Sequence, residues 1–151
     1  MNSIMDFARL AEHFLRQRYG AIKHGPHQGI DASLRGESFV LFYLWRQDKS
    51  TLPSDISAAM NVSSARIAAA LNSLEGKGLV TRRIDTADRR RVLIDLTPAG
   101  EALADQRHQE LLKNTTRLLE LLGERDAEEF VRIWDRLTEI APQLRHLDKG
   151  T

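Results

Sequence analysis

Cysteine is absent from the 151-residue chain, which excludes disulfides, thiolate zinc sites and any cysteine-based redox switch. No uninterrupted apolar run is longer than Phe39 to Trp45, far short of the roughly 20 residues that a membrane span needs. Met1 to Asp6 has neither the basic start nor the apolar centre of a secretory leader. The histidines give no metal signature: His24 and His27 are neighbours in a loop-like stretch and His13 lies one helix back, all without carboxylate company. No Ser–His–Asp order, phosphate loop or carboxylate dyad emerges at helical spacing, so an enzyme is not expected, and neither is a cofactor. These absences point to a cytoplasmic protein with no membrane association. At 42% hydrophobic and 28% charged, the composition is that of a globular chain rather than a disordered tail. The length fits one domain, or one compact unit that pairs with a copy of itself.

The net charge of +1 conceals a distribution. The first hundred residues are net basic and the last fifty net acidic. Within the middle segment Arg82, Arg83, Arg89, Arg90 and Arg91 crowd together, opposed locally only by Asp85 and Asp88. Such a stretch can hold phosphate even though the whole chain is almost neutral, and it can equally be a solvated loop.

Hydrophobic periodicity sets out the elements. Ile4, Phe7, Ala8, Ala11, Phe14, Leu15 and Ile22 recur at helical spacing and predict a first helix, ended by Gly25-Pro26. A second helix is expected from about Leu34 to Asp48, apolar nearly all round and therefore central. Thr51 is expected to cap a third helix with Pro53 in its opening turn and Ile56, Ala59 and Met60 inward. Asn61-Val62-Ser63 reads as a tight turn: Asn tolerates the left-handed conformation, Val points inward and Ser63 caps the next helix. That fourth helix places Ile67, Ala70, Leu71 and Leu74 inside and ends at Glu75-Gly76-Lys77-Gly78. The period then drops to two through Val80–Ile84 and Val92–Leu96, so two strands flank the charged loop Asp85–Arg91 as a hairpin. Thr97-Pro98 opens a long helix with Leu103, Leu111, Leu112, Leu118, Leu119 and Leu122 as its stripe, ending at Gly123. A last helix directs Phe130, Val131, Ile133, Trp134, Leu137 and Ile140 inward and stops at Pro142.

The expected fold is mainly α with one small β hairpin: a winged helix–turn–helix flanked by N- and C-terminal helices. Each part suits duplex DNA. The second helix of the turn fits the major groove and offers its N-terminal residues to base edges and its free amides to a phosphate. Arginines at a hairpin tip can follow the backbone or enter a narrow minor groove. Candidate contacts on the helix are Ser63, Ser64, Ala65, Arg66, Ala69 and Ser73. Arg66 alone can make a forked bond to guanine. Ala65, Ala68 and Ala69 read few donors or acceptors, which shifts the expected affinity toward phosphates, the wing and DNA shape. Plain helix propensity also accounts for these alanines.

The motifs resemble those of the multiple antibiotic resistance regulator (MarR) family of winged-helix repressors. The likeness begins at Leu52-Pro53-Ser54-Asp55-Ile56 and continues through Asn61-Val62-Ser63 and Leu74-Glu75-Gly76-Lys77-Gly78-Leu79-Val80. It is most specific at Asp85-Thr86-Ala87-Asp88-Arg89-Arg90, followed by Leu96-Thr97-Pro98-Ala99-Gly100. Thr86 stands where the family usually has proline. The resemblance implies that Arg90 is the wing arginine of the minor groove, that Arg89 pairs with a carboxylate or phosphate, and that Asp88 holds an arginine in its fork. Arg91 is a further phosphate contact. A purely structural role for this cluster, rigidifying the hairpin, is the competing reading.

One reading helix and one wing cover little DNA, so two copies on a palindrome are expected. Residues 1–32 and 101–151 are read as the helical dimerisation region and residues 33–100 as the DNA-binding region. By resemblance the outer helices intertwine, with Phe7, Phe14, Phe130, Trp134 and Leu137 at the interface or in adjoining core. The family also implies repression relieved by a small aromatic ligand. Its candidate contacts here are His13, Arg16, Phe42, Tyr43 and Trp45, each of which serves equally well as core or surface. The alternative function is a winged helix that binds a protein partner instead of DNA.

Overall fold

The computed structural model describes residues 6–21 and 36–144. Helix α1 spans Phe7–Ala21, α2 Glu37–Trp45, α3 Pro53–Met60 and α4 Ser64–Gly76. Strands β1 (Val80–Ile84) and β2 (Val92–Leu96) follow, then α5 (Pro98–Leu122), α6 (Glu124–Ile140) and a 3₁₀ turn at Ala141–Gln143. The expectations for Ile4, Ile22, His24, Gly25-Pro26, His27 and Leu34 lie outside the described residues. Among the described residues no helix is long and apolar enough to cross a membrane. The chain divides into two compact units, Ile30–Arg107 and Met1–Gly29 with His108–Thr151, the boundary falling within α5.

The first unit is built around α4. Ile67, Leu71 and Leu74 on its inner stripe are almost fully buried, together with Val40, Leu41 and Leu44 of α2, Ile56 of α3, and Val80 and Ile94 of the hairpin. Each large aliphatic side chain so buried contributes about 1.5–3 kcal/mol. The turn into α4 forms as its residues require. Asn61 is left-handed at φ 53°, ψ 47°, a conformation Asn tolerates better than other side-chain-bearing residues. Ser57 Oγ donates to the Val62 carbonyl at 2.6 Å, and Ser63 Oγ accepts the Arg66 amide at 3.3 Å as the helix cap.

At the far end of α4, Leu79 N donates to Leu74 O at 3.0 Å and Gly78 N to Glu75 O at 2.9 Å, while Gly78 adopts φ 72°. This pair of bonds closes the last turn and needs a residue free to take positive φ. The same corner receives the start of α5. Thr97 N donates to Leu79 O at 3.1 Å, Thr97 Oγ1 donates to Gly78 O at 2.6 Å and accepts the Gly100 amide at 3.0 Å. Gly100 sits so close that a Cβ there would lie 2.0 Å from the Leu79 carbonyl oxygen.

Two expectations are corrected in this unit. Thr51 does not cap α3; Leu52 occupies the cap position without a side-chain bond. Thr51 is buried and exchanges backbone bonds with Ile94, N to O at 3.0 Å and O from N at 2.8 Å. It thus adds a one-residue third strand, too short to leave an alternating pattern. Helix α2 ends at Trp45 rather than Asp48, closing with Arg46 N to Phe42 O at 3.1 Å.

In the second unit α1 packs on α6. Ala11 and Ala127, with no exposed surface, are buried with Val131 and Leu119, and Phe7, Leu10 and Phe14 lie against them. Phe14 meets Phe130 and Trp134 with ring centroids 5.2 Å away in each case, a geometry favourable for tilted aromatic pairs. His13 Nε2 lies 2.8 Å from Asp135 Oδ2, tying α1 to α6. The inward set expected for α6 needs correction. Val131 is buried, but Phe130, Ile133, Leu137 and Ile140 are exposed in the single chain, as are Leu118, Leu121, Leu122 and Leu144. One helix stripe cannot bury all of these against α1 alone, so an apolar face remains open.

The corner at Leu79 sets a direct test. Gly100→Ala is expected to destabilise the protein by about 1–3 kcal/mol, the usual cost of overpacking, measured by denaturant unfolding at fixed protein concentration. A change within about 0.5 kcal/mol, typical of an unconstrained surface site, would contradict the close approach.

Candidate nucleic-acid interface

Committing the inner stripe of α4 to the core dictates what the helix presents outward. Ser63, Ser64, Ala65, Arg66, Ala68, Ala69 and Asn72 are exposed. Ser73 differs: it is half-buried and hydrogen-bonds Glu37, whose carboxyl is held below its usual value by Lys77 first and Ser73 second. Of the helix residues singled out from sequence, Ser63, Ser64, Ala65, Arg66 and Ala69 therefore share an open face, and Ser73 is occupied elsewhere.

The hairpin pairs antiparallel with Val80 opposite Leu96, Arg82 opposite Ile94 and Ile84 opposite Val92. Its loop is shaped by its own carboxylates. Asp85 Oδ1 accepts the Ala87 amide at 2.9 Å, and Asp88 Oδ1 accepts both the Arg90 amide at 3.1 Å and Arg90 Nε at 3.2 Å. Aspartates that bond to the backbone two residues on are natural turn formers. Asp88 therefore engages Arg90 through one oxygen, not through the two-oxygen fork that the resemblance implies. The Arg90 bonds hold the Asp88 carboxyl below its ordinary range.

The five arginines of the hairpin fall into two classes. Arg89, Arg90 and Arg91 are exposed at the tip, Arg90 with 91% of its side chain accessible. Among the described residues neither Arg89 nor Arg91 lies within ion-pair distance of a carboxylate. Arg82 and Arg83 are engaged. Arg82 donates to Asn72 Oδ1 at 2.7 Å and lies 3.4 Å from Glu75 Oε2. Arg83 donates Nε to Asp95 Oδ2 at 2.9 Å and a terminal nitrogen to Ser50 Oγ at 2.7 Å. Ser50 in turn donates to Asp95 Oδ1 at 2.5 Å. Sequence reasoning counted all five arginines as one patch and missed Ser50, Asn72, Glu75 and Asp95. The signal that separates the two classes is the change from the alternating strand, which holds Arg82 and Arg83, to the turn-forming loop that carries Arg89, Arg90 and Arg91.

The comparisons with known proteins agree with this geometry. A family model described as the MarR family matches residues 35–92. The transcriptional repressor NicR of Pseudomonas putida is 31% identical over 107 residues, which cover 69% of this chain and 66% of that protein. The winged-helix segment of this chain is therefore similar to the MarR family. The repressor YetL of Bacillus subtilis is a further relative, 28% identical over 93 residues that cover 62% of this chain and 56% of that one. The match thus spans less than two thirds of the length of either curated relative. Among solved MarR-like folds, Streptococcus pneumoniae FabT, determined in complex with DNA, superposes with a TM-score of 0.62 at 22% identity, covering 94% of this chain and 99% of that one. The winged-helix architecture of the family is the one found here.

The candidate effector contacts lie on two helices, one in each compact unit. His13 and Arg16 belong to α1, where His13 is engaged by Asp135, a partner that the sequence reading missed. Phe42, Tyr43 and Trp45 belong to α2, and Tyr43 and Trp45 pack against the core of the winged unit. Burial, then Asp55, pushes the Tyr43 hydroxyl above its ordinary value. Trp45 also lines a cleft of about 360 Å³ with Asp48, Ser50, Asp95 and Glu101.

Asp95 generates a pH prediction. Burial pushes its carboxyl up, but the bonds from Ser50 and Arg83 outweigh it and hold the group below 3.8. A depressed folded value means stabilisation that is complete above the ordinary value and lost as pH falls through the folded one. Asp95→Asn should therefore be less stable than wild type at neutral pH, with the gap in melting temperature closing below about pH 4. A gap independent of pH would contradict the ionic role.

Proposed function

We propose that this chain is a transcription regulator, a repressor rather than an enzyme, that binds double-stranded DNA as a homodimer on a palindromic operator. The observation that carries the reading is the sorting of side chains in one compact unit. Arg89 and Arg91, outside ion-pair distance of any carboxylate among the described residues, stand exposed with Arg90 at the wing tip, while the outer face of α4 opens beside a capped N-terminus. Arg90 enters the minor groove, Arg89 and Arg91 meet phosphates, and Asp88 presets the Arg90 side chain. Ser63, Ser64, Ala65, Arg66 and Ala69 face the major groove, where Arg66 is the one fork donor and the alanines admit close approach. The repressor names of NicR and YetL and the DNA bound by FabT support the same reading.

Dimerisation follows from the open apolar face. Leu121 is 73% exposed and Phe130 42%, and exposed large apolar side chains in this number mark an interaction surface. A second copy covers it, with Phe130 and Leu137 in the contact and Phe7, Phe14 and Trp134 in the core beneath. Residues 1–32 and 101–151 form the dimerisation region and 33–100 the DNA-binding region. A small aromatic ligand relieves repression; Trp45, with an open cleft beside it, is its foremost contact, and His13, Arg16, Phe42 and Tyr43 are the others.

Two measurements test this. Binding to a duplex recovered by the wild-type protein from a random pool should weaken steeply with salt, and Arg90→Ala should cost about 1–3 kcal/mol at constant salt. Failure of the wild-type protein to enrich any duplex would favour a protein partner instead. Leu137→Glu should shift the sedimentation coefficient from dimer toward monomer. An unchanged coefficient would remove the proposed interface.

A further inference from the structure

Arg82 and Arg83 belong to the basic stretch that the sequence reads as able to hold phosphate, yet each is engaged by a carboxylate of the protein itself. Adjacent strand residues point to opposite faces, so the two guanidinium groups leave β1 in opposite directions. Arg82 reaches α4 at Asn72 and Glu75. Arg83 reaches across β2 to Asp95 and on to Ser50, which precedes the third strand at Thr51. Ser50 closes the triangle by donating to the other Asp95 oxygen. Each arginine faces one carboxylate, so neither adds net charge to the patch. Each also bridges two acceptors at once, which a planar guanidinium does and a lysine ammonium does with less geometric constraint.

From this arrangement we propose that Arg82 and Arg83 are positioning residues that brace the wing from both sides and fix the Arg89–Arg91 tip relative to the reading face of α4. The inference rests on the DNA-binding reading above and deepens it. The brace sets specificity without touching DNA. A two-stranded ribbon is pliable on its own, and a tip in the minor groove must keep register with a helix in the adjacent major groove. Arg82 ties the wing to the reading helix itself; Arg83 ties it to the sheet edge that α2 and α3 support. Asn72 belongs to the brace as well, its side-chain oxygen accepting from Arg82.

Charge-neutral double variants isolate this role. Arg83→Gln with Asp95→Asn, and Arg82→Gln with Glu75→Gln, each remove one side of the brace and leave net charge unchanged. Affinity for the duplex selected by the wild-type protein and for a scrambled duplex is measured over a range of salt. The brace predicts that selected-duplex affinity falls at least about tenfold, comparable to a mismatched base pair, while scrambled-duplex affinity and the salt slope stay as in wild type. A salt slope lowered by about one, with both duplexes weakened alike, is the signature of a lost phosphate contact and overturns the proposal. So does an unchanged selected-duplex affinity in variants that melt as wild type does. If the Arg83 pair fails to fold, Ser50→Ala removes one hydroxyl of its network, and if the Arg82 pair fails, Glu75→Gln alone removes the carboxylate facing Arg82; each must show a smaller loss confined to the selected duplex. A wild-type protein that selects no duplex sinks the DNA reading itself, an outcome distinct from loss of the brace alone.

Discussion

Four backbone segments of the winged unit meet at the Leu79 carbonyl. It ends the closing turn of α4, begins β1, accepts the Thr97 amide that follows β2, and lies against Gly100 in the first turn of α5. A single side chain, Thr97, serves both helices there, donating to Gly78 O and accepting the Gly100 amide. The two ends of the hairpin are therefore pinned to the end of one helix and the start of another. Without that joint the wing would have no fixed origin, and its cations no fixed place. The motif Leu96-Thr97-Pro98-Ala99-Gly100 is thus a structural requirement rather than a chemical one.

From this joint outward, the unit assigns each polar group to one of two tasks. Groups that shape or hold the protein are paired: Asp85 and Asp88 in the loop, Arg82 and Arg83 along β1, Ser73 and Lys77 around Glu37. Among the described residues Arg89 and Arg91 at the wing tip and Arg66 on α4 are exposed and outside ion-pair distance of a carboxylate. This division explains how a chain with a net charge of only +1 presents a local surface suited to a polyanion. Binding at such a surface depends on a few well-placed charges and not on the total.

Much of this was legible in the sequence, for identifiable reasons. Helical spacing in α4 and the Asn61-Val62-Ser63 turn were readable because each rests on a local rule of backbone conformation or capping. The hairpin showed through its change of period. What stayed hidden depends on contacts between distant residues. Thr51 looked like a cap because a one-residue strand has no periodicity, and its pairing with Ile94 spans more than forty positions. Arg82 and Arg83 count toward the basic stretch because a sequence shows charge but not Glu75 or Asp95 facing it. Phe130, Ile133, Leu137 and Ile140 were read as inward because their spacing marks an apolar stripe without saying which molecule covers it.

The central claim is that an exposed cationic wing and the outer face of α4, doubled by a second copy, grip one face of a duplex. A hydroxyl-radical footprint of the wild-type protein, on a duplex it has itself selected, tests this most directly. The account predicts two symmetry-related stretches of minor-groove protection, flanking a pair of major grooves about one helical turn apart. A single unpaired stretch, or uniform protection without groove periodicity, would contradict it.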